Sequence, residues 1–156
     1  MQAITFDTPG GPEVLTLTQA PDPTPTPEQV LVRVRASALN RADTLQRQGN
    51  YPPPPGESAI LGLELAGEVE ALGSAVTNIA LGDRVFGLVG SGGYAEKAVI
   101  DARMAMPIPD GWSFTEAAAV PEVYFTAQET IFALGRLQHA ETILIHAGAS
   151  GVGTAG

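Results

Sequence analysis

Glycine and proline break the first half of this chain so often that no long element can form there. The breaks fall at Pro9-Gly10-Gly11-Pro12, at every second position from Pro21 to Pro27, and from Pro52 to Pro55. Proline lacks the N–H that a helix interior or inner strand needs, and glycine supplies turn geometries closed to other residues. Only short strands fit between such breaks, so the spacing predicts a β-rich domain. The clearest strand is Val30-Leu31-Val32-Arg33-Val34-Arg35-Ala36. Val30, Val32, Val34 and Ala36 share one face, and Arg33 and Arg35 take a solvated one. Further strands are expected over residues 3–6, 14–18, 63–71, 84–89 and 94–100. One short helix interrupts them, capped by Asn40, running from Arg41 to Arg47 and stopped by Gly49 in a left-handed conformation.

The pattern changes after Pro109. Ser113-Phe114-Thr115-Glu116 is a capping box that opens the apolar run Ala117-Ala118-Ala119-Val120. Pro121 suits the first turn of a second helix, in which Val123, Thr126, Ala127, Thr130, Ile131 and Leu134 recur at three and four residues before Gly135 ends it. Thr142 to Ala147 then reads as an apolar strand of the kind that parallel sheets bury on both faces.

Directly after it comes IHAGASGVGTAG, where Gly151, Gly153 and Gly156 make a G-x-G-x-x-G. In a dinucleotide-binding fingerprint the first glycine permits the turn, the second lets a pyrophosphate approach the backbone, and the third lets the helix pack on its strand. A small-residue turn with no ligand has the same spacing, and that alternative stays open. The stretch from Thr142 to Gly156 is shorter than the roughly 30 residues a βαβ unit takes. These residues are therefore expected to hold half of a cofactor site, to leave a strand with unpaired edges that favours association, and to be inactive alone. The ending reads as a break within a longer enzyme.

Composition narrows the partners. Eight Lys and Arg stand against 17 Asp and Glu, a formal net charge of −9 that repels a phosphate backbone and an anionic membrane surface. Nucleic acid and membrane are therefore not expected partners. The absence of cysteine removes disulfides, thiolate catalysis and cysteine-ligated zinc. With no basic-then-apolar leader and no long apolar run, a cytoplasmic location is the default expectation.

The segments GGPEVL, SALNRADTLQRQGNYPPPPG, ILGLELAG, GDRV, GGYAEK, MPIPDG, AAAVPEVYFTA and IHAGASGVGTAG run through essentially the whole chain. Together they resemble the zinc-independent quinone oxidoreductases of the medium-chain dehydrogenase/reductase superfamily, most of all the subgroup containing the p53-inducible quinone oxidoreductase. The resemblance implies a mixed α/β chain: a GroES-like β-rich barrel domain over residues 1–120, then a connecting helix and the start of a Rossmann dinucleotide-binding domain over residues 121–156. It implies NADPH as cofactor, a quinone as substrate in the cleft between the domains, and a homodimer at full length. Zinc-dependent relatives place a cysteine where Asn40 stands, a Gly-His-Glu where this chain has Gly62-Leu63-Glu64, and a four-cysteine lobe near Gly92. The resemblance therefore implies no metal.

By the same resemblance Asn40 and Tyr51 line the cleft as catalytic residues whose amide and phenol hydrogen-bond the acceptor's oxygens. Tyr51 also contacts the nicotinamide end of the cofactor, Thr126 faces the nicotinamide carboxamide, and Ser150, Gly151, Val152 and Gly153 form the pyrophosphate loop. From local chemistry alone, Asn40 is equally a helix cap, Tyr51 packs on the prolines that follow, and Thr126 hydrogen-bonds back to its own helix. Asp43 and Glu122 read as first-turn acids that complement helix dipoles, and His139 and His146 stand alone. Two other functions fit: reduction of an enal, enone or enoyl thioester with NADPH, and a non-catalytic GroES-like packing module.

Overall fold

A computed structural model describes residues 1–156. Seven strands form in it: β1 (Gln2–Thr5), β2 (Thr16–Gln19), β3 (Gln29–Ala36), β4 (Glu64–Leu72), β5 (Arg84–Leu88), β6 (Lys97–Asp101) and β7 (Met106–Pro107). Four α-helices accompany them: α1 (Arg41–Arg47), α2 (Phe114–Ala118), α3 (Pro121–Gln128) and α4 (Gly151–Ala155). β1 and β2 form an antiparallel hairpin, and the other five strands make an antiparallel sheet in the order β6-β3-β4-β5-β7. Ala3 bridges to Ala95, and Ile4 N–H donates to the Tyr94 carbonyl, so the hairpin joins the segment leading into β6.

The alternation in β3 does what the sequence requires of it. Val30 and Val32 are wholly buried and pack with Leu65, Val69, Val85, Ala98 and Ile100 in the main core. Burying each large aliphatic side chain contributes about 1.5–3 kcal/mol. Arg33 and Arg35 point outward and pair across to β4, with Glu70 at 2.6 Å and Glu68 at 2.7 Å. β4 is covered on its second face as well: Ala66 meets Phe86, Ile108, Ala117 and Ala118, which seats α2 on the sheet. The Ser113–Glu116 capping box is formed, and Gly49 closes α1 at φ +80°.

Three expectations fail. No strand forms over Thr142–Ala147; Leu144 is 81% exposed and Ile143 42%. A strand needs a hydrogen-bonded neighbour, and no strand pairs with this segment. The second helix changes character midway, α3 giving way to a π-helical turn over Glu129–Leu134. Gly135 ends that turn as expected, at φ −72°, and Arg136 follows at φ +53°. At the other end of the chain, Val14 lies in a 3-10 turn, so β2 starts only at Thr16.

Candidate functional site

The most concentrated polar chemistry lies where α1, β4 and α3 begin. Glu64, the first residue of β4, is 1% exposed although it carries a carboxylate. Its Oε1 accepts from the Asn40 side-chain amide at 2.7 Å, and its Oε2 accepts from the Glu122 backbone N–H at 2.9 Å. Asp43, also buried, accepts through Oδ2 from the Asn40 backbone N–H at 2.7 Å and from the Tyr94 hydroxyl at 2.6 Å. Its other oxygen, Oδ1, is buried without a partner. A buried charge is tolerated only when hydrogen-bonded, and these donors supply the need in large part.

Burial pushes the Glu64 carboxyl above its ordinary value. The bonds from Glu122 and Asn40 pull against that shift, and the Asp43 charge adds to it. Burial, reinforced by the Asp43 carboxylate, drives the Tyr94 phenol far up as well. Tyr94 therefore stays protonated and remains a donor to Asp43. Glu122 is raised first by burial, then by the charges of Glu64 and Asp43. Glu122 does stand in the first turn of α3, as expected of an acid that complements the helix dipole, but with Glu64 and Asp43 as like-charged neighbours.

A pH prediction follows from Glu122. A carboxyl whose folded pKa is raised contributes stability below its unfolded value, here 4.5, and loses it as pH rises through the folded value. Glu122→Gln keeps the backbone N–H that Glu64 needs and removes the charge. The variant should be more stable than the parent at about pH 7, by roughly 0.5 kcal/mol after solvent screening. Below pH 4.5 the difference should close. Urea denaturation at the two pH values checks this; an equal gain at both would mean that charge is not the cause.

The other residues named from sequence are spread along the chain. Tyr51 lies in the loop after α1 and is 46% exposed. Thr126 lines a cavity of about 600 Å³ with Leu88, Met104, Phe125 and Thr130, and neither Asn40 nor Tyr51 lines it. The hydroxyl that bonds back to the helix belongs to Thr130, which donates to the Thr126 carbonyl at 2.7 Å; Thr126 keeps its own hydroxyl free. Ser150 caps α4, accepting from the Gly153 N–H at 3.1 Å.

The glycine turn is closed to side chains. A Cβ on Gly153 would stand 2.5 Å from the Ala147 carbonyl and 2.7 Å from Gly148 Cα. One on Gly151 would stand 3.0 Å from Val123 Cγ1 in α3, and one on Gly156 3.0 Å from Ile131 Cδ1. The turn and its helix therefore lie tight on α3. No group of three His, Asp or Glu side chains is gathered as a metal-ligand set needs.

Sequence reading passed over Glu64 and Tyr94. The available signal was a lone glutamate inside the apolar run Ile60-Leu61-Gly62-Leu63-Glu64-Leu65-Ala66, which has to find donors if that run is buried.

A small antiparallel β domain that leads through a short helix into a glycine turn defines a GroES-like module followed by nucleotide-type local structure. Residues 26–110 match the alcohol dehydrogenase GroES-like domain family, and the chain belongs to that family. Over 151 residues it is 45% identical to a quinone oxidoreductase of Pseudomonas aeruginosa, covering 96% of this chain and 46% of that protein. It matches the Escherichia coli quinone oxidoreductase solved in complex with NADPH at 36% identity and a TM-score of 0.87, covering 98% of this chain and 47% of that one. It matches the CurK enoyl reductase at 30% identity and a TM-score of 0.88, covering 99% of this chain and 49% of that one. The chain thus spans about half the length of these relatives. No helix is long and apolar enough to cross a membrane.

Proposed function

We propose that the chain forms the β domain, residues 1–120, and the opening of the nucleotide domain, residues 121–156, of an NADPH-dependent quinone oxidoreductase that works without zinc. One observation carries this reading: the Gly151–Gly156 turn is seated on the same helix, α3, whose first turn is bonded to the buried Glu64 of the β domain. A pyrophosphate-type turn and the polar cluster around Asn40 are thereby linked through a single short element.

In this reading Ser150, Gly151, Val152 and Gly153 hold the pyrophosphate, and the free hydroxyl of Thr126 binds the nicotinamide carboxamide. NADPH supplies the hydride. The amide of Asn40 keeps one N–H beyond the one given to Glu64, and the Tyr51 phenol supplies another donor. Both are offered to the quinone oxygens, where negative charge develops as hydride arrives. A quinone is an easily reduced acceptor, so neutral donors are sufficient electrophilic help. A homodimer and a cytoplasmic location belong to the same proposal.

The similarity to an enoyl reductase favours a second reading, in which the acceptor is an enone or an enoyl thioester. NADPH oxidation by the full-length enzyme, measured side by side with 1,4-benzoquinone and with a 2-alkenal, separates the two. Faster turnover of the quinone supports the first reading, and turnover of the alkenal alone replaces it with the second. A folded, monodisperse protein that neither binds NADPH nor turns over either acceptor would leave a GroES-like packing module.

A further inference from the structure

Glu64 stands at the meeting point of three chain segments far apart in sequence: Asn40 lies 24 residues before it, Glu122 58 residues after it, and both donate to its carboxylate. Each oxygen faces an amide N–H, and an N–H can only donate. The pocket therefore fits a group that accepts at both ends, as a carboxylate does and a carboxamide, with its single oxygen, does not. The N–H that Glu64 takes from α3 is one of the first-turn amides that a helix cannot satisfy internally.

We propose that Glu64 is a positioning residue of the candidate site: its carboxylate fixes the side-chain plane of Asn40 and the first turn of α3 together. Thr126 rides on α3 about one turn beyond Glu122, so its distance from Asn40 is set by this single buried group. The inference rests on the proposed roles of Asn40 and Thr126 for its catalytic consequence, but the clasp itself is open to a separate measurement. Asp43 supports it from the α1 side: it accepts from the Asn40 backbone N–H, and Tyr94 holds Asp43 in turn.

The isosteric Glu64→Gln variant tests this. A carboxamide offers one acceptor oxygen, so one of the two donors must lose its partner. Amide hydrogen exchange and the Asn40 side-chain NH₂ resonances, read by NMR, should show either Glu122 N–H or Asn40 Nδ2 released, with exchange at least about tenfold faster. With the same substitution in the full-length enzyme, kcat for NADPH-dependent quinone reduction should fall about tenfold while KM for NADPH changes little. If both donors keep their protection, the proposal is overturned. If one donor is released but the full-length parent enzyme never turns over a quinone, the clasp stands and the proposed function falls. Should Glu64→Gln fail to fold, the parent protein decides alone. Its Glu122 amide should exchange at least about tenfold more slowly than an unbonded amide of the same turn, and equal rates would overturn the proposal.

Discussion

Quinone turnover by the full-length enzyme carrying Asn40→Ala and Tyr51→Phe should fall at least about 100-fold in kcat/KM, the scale on which removing oriented donors to a developing oxyanion acts. The two residues reach this point by different routes. The Asn40 side chain is fixed before substrate arrives, because Glu64 holds one amide hydrogen at 2.7 Å and Asp43 holds the backbone at 2.7 Å. Tyr51 is half exposed in the loop that follows α1, and no hydrogen bond fixes its hydroxyl. Rigid donors lower the barrier without a reorganisation cost, so Asn40→Ala alone should act chiefly on kcat. Tyr51→Phe alone should act on KM as well, because the loop has to be ordered. Stopped-flow oxidation of NADPH at varied quinone concentration reads both constants. Unchanged turnover in the double variant would remove both residues from the mechanism.

What the sequence made legible was local. The two faces of β3 follow from strict alternation, since Val30 and Val32 can only turn inward together and Arg33 and Arg35 only outward. The Ser113–Glu116 cap and the stop at Gly49 follow from residues within one turn of each other. The failures are of another kind. Thr142 to Ala147 has the apolar content of a buried strand, but strand formation depends on a neighbour, which no local pattern reports. The polar cluster was hidden for the same reason. Asn40 looks ordinary in its own segment and Glu64 shows there only as a lone acid in an apolar run, and which donor meets that acid appears only when β4 and α1 are brought together across 24 residues. Thr126 went the other way, since back-bonding to the helix is the default for an interior threonine, and here Thr130 takes that role.

Gly62 sits just before this cluster, and Gly62→Ala should cost at least about 3 kcal/mol. Two separate terms add at this position. The backbone is at φ +102°, where a side chain is strained. The added Cβ would also stand 2.6 Å from the Tyr94 backbone nitrogen and 2.8 Å from the Gly93 carbonyl carbon, which are main-chain atoms that cannot swing aside. Relief would require moving the Gly93–Tyr94 strand entry, whose N–H groups donate to the Gly62 and Leu61 carbonyls at 3.0 and 2.9 Å. Shifting Tyr94 would draw its hydroxyl away from Asp43 and loosen the network around Asn40. Gly56→Ala isolates the first term, because Gly56 has φ +90° with nothing within 4 Å of an added Cβ. That variant should cost only about 1 kcal/mol, the conformational penalty alone. Urea denaturation of the two variants side by side measures the difference. Equal losses would mean that the close approach of Gly62 to Tyr94 contributes nothing to stability, whereas a gap of about 2 kcal/mol would make the contact a structural condition of the polar cluster.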